Sequence, residues 1–303
     1  MEKFLVMTGR NLKNYFRSKG AIFFSLLSML IVICLMVFFL GDMQVESIVE
    51  ILDQFPGRDG IADEKNAELL VLSWTCAGII SINAVTVTLS VYSTMIKDRA
   101  TGKLNSIYTA PIGRMAIAAS YVASAWTASV LVCGLTLIIT EVYGVIKGLD
   151  PFTFGVHMQL IGMIMVNSFT YATVMYFLAV ISKTESAWSG LGTVVGTLVG
   201  FLGGIYIPIG SLSEAIGNVM KCTPVIYGTA MFRSVMAKGI IDTTFADLPD
   251  EVTAGYRAVM GIDLELFGRE VSVMEEGILI LIFGVVFLVI GTGMLKYGKK
   301  TDR

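Results

Sequence analysis

The sequence predicts an all-α integral membrane protein. It has six transmembrane helices, an N-terminal amphipathic interfacial helix, and short extracellular re-entrant helices between the fifth and sixth spans. Three observations predict this. Of the 303 residues, 55% are hydrophobic and only 15% charged, against about 25% charged in a soluble domain. The charges are excluded from six long apolar stretches. Their signs then segregate between the segments that connect those stretches.

The stretches are 21–40, 69–96, 115–140, 158–181, 187–208 and 277–295, and none holds an Asp, Glu, Lys or Arg. About 20 apolar residues cross the hydrocarbon core as a helix, the form in which the backbone satisfies its own hydrogen bonds in lipid. The first stretch is too long for the h-region of a signal peptide, and no A-x-A-like site follows it in Gly41-Asp42-Met43-Gln44. It reads as a retained first helix.

Orientation follows from charge. With the N-terminus inside, segments 1–20, 97–114, 182–186 and 296–303 hold 14 of the 22 Lys/Arg and 4 of the 24 Asp/Glu. Lys/Arg bias marks the cytoplasmic side, so both termini are expected in the cytoplasm; short outer loops and no signal sequence fit the cytoplasmic membrane of a prokaryote. Residues 2–19 interleave Phe4, Leu5, Leu12 and Phe16 with Lys3, Arg10, Lys13, Arg17 and Lys19, the pattern of a basic amphipathic helix on the inner surface. Residues 41–68 carry eight acids and read as an outer loop. Residues 97–114 form the largest inner loop, which mixes both charge signs with Leu104, Ile107 and Tyr108 and stops at Pro111. A docking element looks like this, and so does an ordinary loop.

The fifth stretch repeats glycine at Gly192, Gly196, Gly200 and Gly204. On a helix these share one face and permit close packing, against a helix of the same chain or of a second subunit. Two apolar pieces follow Pro208, at about 211–220 and 224–236, separated at Pro224 and too short to span. Segment 209–276 is expected outside.

Much chemistry is missing. Cys34, Cys76, Cys133 and Cys222 have no CxxC spacing, and His157 is the one histidine, so no metal site is expected. Charge-free spans argue against ion-coupled transport and intramembrane proteolysis. Gly293 to Lys300 has GxxxxGK spacing but lacks the Ser/Thr for magnesium and a preceding strand. Lys296, Lys299, Lys300 and Arg303 read instead as a cytoplasmic anchor.

Two stretches carry a family resemblance. Asp98-Arg99, Gly102, Leu104, Pro111 and Arg114 resemble the "E/D-R-x-x-G-x-L…P-x-x-R" pattern after the second helix of type-2 ABC transporter permeases (the ABC-2 type). Gly204, Pro208, Pro224 and Phe232-Arg233 resemble the stretch after their fifth helix. Ala100-Thr101 stands where the family often has further charge. The resemblance implies a single permease domain over 1–303 that pairs with a second permease copy or a homologous permease. It implies a separate cytoplasmic ABC ATPase that carries ATP and Mg, docked at Asp98, Arg99, Gly102, Lys103, Leu104, Pro111 and Arg114 in a coupling loop. Pro208, Pro224 and Arg233 would belong to the exit side. The chain itself would bind no cofactor and catalyse nothing, and no nucleic-acid partner is expected. The implied activity is export of a substrate such as a drug, an antimicrobial peptide or a lipid-like molecule. A secondary transporter or channel acting without an ATPase is the alternative.

Overall fold

The computed structural model describes residues 2–109 and 112–297. Helices dominate it because the apolar stretches have no other way to pair their backbone in lipid. Helix α1 (Glu2–Arg17) ends at Ser18, whose hydroxyl accepts from Ala21 N and caps α2 (Lys19–Leu35). A π-turn over Met36–Leu40 leads straight into α3 (Gly41–Leu52). A Cβ on Gly41 would lie 2.5 Å from the Met36 carbonyl oxygen, so the turn requires glycine there.

Helix α4 (Gly60–Ala100) is the axis of the molecule. Its 41 residues extend about 60 Å, twice the hydrocarbon thickness. Its apolar window is 94% buried, against 17% for the last helix. Around it stand α2, α3, α6 (Arg114–Lys147), α7 (Phe154–Ile181) and α8 (Glu185–Leu202). Between α4 and α6 lies the short α5 (Lys103–Thr109). At the opposite end, a 3₁₀ turn (Ile209–Ser211) precedes α9 (Glu214–Lys221), α10 (Pro224–Met236), α11 (Lys238–Thr244) and α12 (Asp250–Val259). An antiparallel hairpin of β1 (Leu264–Leu266) and β2 (Arg269–Val271) then leads into α13 (Val273–Tyr297), which packs on α7.

Apolar helices gain little from hiding from apolar lipid, so packing and buried hydrogen bonds hold them together. Tyr92 donates to Ala172 O at 2.7 Å and joins α4 to α7. Asn83 donates to Thr136 Oγ1 at 3.0 Å, and Asn167 to Ser81 O at 3.2 Å. Gly284 and Gly291 let α13 approach α7, with a Cβ on either meeting Thr170 Cα or the Tyr176 ring at 3.0 Å.

Several boundaries differ from the sequence expectation. Residues 41–52 are helical, not loop: Asp42, Glu46 and Glu50 are exposed on one face while Ile48 and Leu52 are buried on the other. Helix α4 begins at Gly60 rather than Leu69, which shrinks the connection to 53–59. Arg58 closes it by donating to both Asp63 carboxylate oxygens at 2.7 Å and to Thr244 O at 2.7 Å. Among the described residues five helical stretches are long and apolar enough to cross a membrane, the first running through α2 and α3 over Met29–Leu52, and α8 is not among them. It has 18 residues, and four glycines and several hydroxyls dilute its hydropathy. The tail 298–303, with Lys299, Lys300 and Arg303, lies outside the described residues.

Candidate functional site: the α4–α5 junction and the buried Arg233

The predicted loop 97–114 is a helix end, a turn and a second helix. Asp98 and Arg99 occupy the last turn of α4. Gly102 adopts φ +72°, a left-handed conformation favoured by glycine, and reverses the chain. Its N–H donates to Arg99 O at 3.1 Å. Helix α5 then starts at Lys103. Leu104 is buried against the core, whereas Lys103, Asn105, Ser106 and Thr109 face out. Arg114 opens α6 and is exposed. Pro111 lies outside the described residues.

Asp98 is almost fully buried and gathers two partners the sequence did not single out. It forms an ion pair with Arg10 of α1 and accepts the Tyr121 hydroxyl of α6 at 2.8 Å. Burial pulls the Arg10 pKa down and the Asp98 carboxylate pulls it up; the carboxylate prevails, so the guanidinium sits above its ordinary value. Arg99 points the other way. It donates to Ala179 O at 3.3 Å and Ser182 O at 2.6 Å, satisfying carbonyls that the C-terminus of α7 leaves unpaired. Two adjacent residues thus bind α1, α6 and α7 to α4 at the point where α5 attaches.

Helix α1 is amphipathic, but its inward face is Met7, Asn11 and Tyr15, packed on α6 and α4. Of the apolar residues read from the sequence, Leu12 packs against the core, while Leu5 and Phe16 stay exposed, as an interfacial face requires.

At the other end Arg233 is fully buried in α10 with no carboxylate beside it. It donates to Met260 O at 3.3 Å and Gly204 O at 3.1 Å, and its guanidinium lies 3.9 Å from the Trp74 ring centre. Trp74 Nε1 donates to Met260 O at 2.9 Å. A planar guanidinium suits this mixture of carbonyls and an aromatic face. Pro224 is the first residue of α10, where its missing N–H costs nothing. Pro208 precedes the 3₁₀ turn.

The four glycines of the fifth stretch do not form one helical stripe. Helix α8 stops at Leu202, and Gly204 has φ +62° in the turn beyond it. Ile205 N donates to Gly200 O at 2.9 Å and Gly204 N to Phe201 O at 2.9 Å, a Schellman termination. A Cβ on Gly200 would meet the Tyr206 ring at 2.4 Å, and one on Gly192 would meet Leu89 at 3.6 Å. Both glycines therefore pack within the chain. Gly192 and Gly196 both line a cavity of about 920 Å³ bounded by α2, α4 and α8, with Phe24, Leu89, Trp188 and Tyr206 in its wall.

The model of the family described as ABC-2 type transporter matches residues 2–237. The chain belongs to the ABC-2 type transporter family. It is therefore the membrane component of an ABC transporter and not the nucleotide-binding ATPase. The match takes in the Arg10–Asp98–Tyr121 cluster, α5, α8 and Arg233, and ends at the start of α11. No curated protein matches the chain significantly. Among the described residues no group of His, Cys, Asp or Glu could hold a metal ion.

The Asp98 network escaped the sequence reading because Arg10, Asp98 and Tyr121 are far apart in the chain. The signal for Arg233 was present: one cation inside the apolar run 224–236 requires buried partners. Nothing in the sequence identified Trp74 and Met260 as those partners.

Proposed function

We propose that the chain is the permease of an ABC exporter in a prokaryotic cytoplasmic membrane, with six spans and both termini in the cytoplasm. Helix α8 is the sixth span. It runs antiparallel to α4, from Trp188, bonded to Ser93 at 3.0 Å, to the turn at Ile205, whose side chain lies 2.9 Å from where a Cβ on Gly78 would stand. Its 18 residues give about 27 Å, close to the hydrocarbon thickness. Its exposed face and its low hydropathy favour a protein neighbour over lipid. A second permease copy against the cavity of α2, α4 and α8 supplies one, and the substrate path then runs between the two.

A cytoplasmic ABC ATPase, carrying ATP and Mg, docks on α5 and α1. The observation that carries this reading is the placement of α5 directly on the Asp98–Arg99 node. Force applied to α5 reaches α1, α4, α6 and α7 at once. Helices α9 to α12 then close the outer side, braced by Arg233. Drugs, antimicrobial peptides and lipid-like molecules are the candidate cargo. The test is co-purification with a cognate ABC ATPase and ATP-driven efflux in inverted vesicles. Loss of co-purification or of efflux on Leu104→Asp, with membrane insertion intact, is the expected result. Efflux driven by a proton gradient in the absence of any ATPase overturns the proposal.

A further inference from the structure

A second cavity, of about 650 Å³, opens at the end of the molecule opposite α5. Its walls come from the projecting start of α4, the end of α6, residues 148–153 and the α10–α11 corner. One wall is apolar, with Leu69, Leu72, Val156, Val235 and Met236. The rim is charged with both signs. Lys65 and Lys238 stand on it with Asp150 and Asp242, and none of the four closes an ion pair among the described residues. Glu141 is also in the lining, but Phe152 N at 3.1 Å and His157 at 2.9 Å occupy its two oxygens.

The depth of this cavity is set by its neighbours. Val142, Tyr143, Val145 and Ile146 of α6 are exposed on the same two turns whose Glu141 and Gly144 face inward. Ile61 and Phe154, beside the mouth, are 83% and 78% exposed. In a membrane protein such apolar side chains mark the hydrocarbon boundary. The cavity therefore opens where acyl chain gives way to headgroup. It offers an apolar wall toward the chains, two ammonium groups for a phosphate, and two carboxylates for a second cation.

We infer that this cavity binds a zwitterionic phospholipid, probed as phosphatidylethanolamine, with its phosphate at Lys65 and Lys238 and its cationic group at Asp150 and Asp242. An anionic lipid would leave both aspartates facing negative charge. In the orientation proposed above the cavity faces the outer leaflet; binding itself does not depend on that orientation.

The test is native mass spectrometry of the full-length chain, reconstituted in equal phosphatidylethanolamine and phosphatidylglycerol and then extracted. The expected result is one retained phosphatidylethanolamine per chain. Lys65→Glu with Lys238→Glu is expected to reduce its retention by at least about 10-fold, since both phosphate contacts are reversed. Val156→Trp, which fills the apolar wall without changing charge, is expected to do the same. Unfolding temperature and size-exclusion profile are followed for each variant. Equal retention of the two lipids, preferential retention of phosphatidylglycerol, or retention unchanged in both variants overturns the inference. Displacement of the lipid by soluble phosphoethanolamine at equal concentration does so too, since the apolar wall would then contribute nothing. Lipid retention needs no ATPase, so loss of efflux with the lipid retained counts against the proposed function alone.

Discussion

At the scale of residues, two buried charges organise opposite ends of the protein by different means. Asp98 has charged and hydroxyl partners, whereas Arg233 has carbonyls and a ring. Asp98→Asn keeps the shape and removes the charge that holds Arg10. The Asp98 side chain is 7% exposed and that of Arg10 31%, so water screens one partner partly. A loss of about 1–2 kcal/mol is expected. Arg10→Ala added to Asp98→Asn should cost little more, a coupling measurable by thermal unfolding of the four proteins. Additive losses would show that the pair is incidental. Trp74→Phe removes the donor to Met260 O and weakens the face under Arg233. Arg233 still donates to that carbonyl, so about 0.5–1.5 kcal/mol is expected for the one hydrogen bond lost, together with faster proteolysis between α11 and the hairpin. Unchanged proteolysis would mean that Trp74 does not hold this region.

At the scale of elements, the turn before α5 separates backbone strain from crowding. A Cβ on Gly102 would meet nothing within 4 Å, yet its φ is +72°. Gly102→Ala should therefore cost about 1 kcal/mol through conformation alone and shift the direction of α5. Gly102→Asn, which tolerates this conformation, should retain more of the ATPase coupling. Equal coupling in both variants, measured as ATP hydrolysed per substrate exported, would refute a role for the turn. The elements themselves were legible to different degrees. Long charge-free stretches announced α2, α4, α6, α7 and α13 because lipid permits few alternatives. Helix α3 was legible by periodicity but was read by charge. Asp42, Glu46 and Glu50 recur every four residues, opposite Ile48 and Leu52, which is a helical face and not a loop. The glycine repeat misled in the other direction. Its spacing continues through Gly204, but Gly203-Gly204 before Ile-Tyr-Ile-Pro is the sequence of a helix end. Of the junction, Gly102 and Leu104 could be placed by their sequence neighbours. Arg10 and Tyr121 could not, because only the packing of α1 and α6 brings them to Asp98.

At the scale of the whole molecule, the proposed pairing of two copies places α8 at their contact, and its glycines make distinct predictions. Gly200 is enclosed by its own chain, with the Tyr206 ring 2.4 Å from where a Cβ would stand. Gly200→Leu must displace Tyr206, and thereby disturb both the α8 terminus and the cavity wall that Tyr206 forms. Its effect should appear first as a lower unfolding temperature of the single chain. Gly196 instead opens on the cavity between α2, α4 and α8, with Thr193 and Thr197 beside it. Gly196→Leu should leave the unfolding temperature within about 0.5 kcal/mol equivalent of wild type, as surface substitutions usually do, while lowering the dimer fraction on native gels and in cross-linking. Dimers intact in Gly196→Leu would move the subunit interface away from α8. The cavity would then need another occupant, and α8 would have to cross the bilayer with its hydroxyls and glycines against lipid, which its composition disfavours.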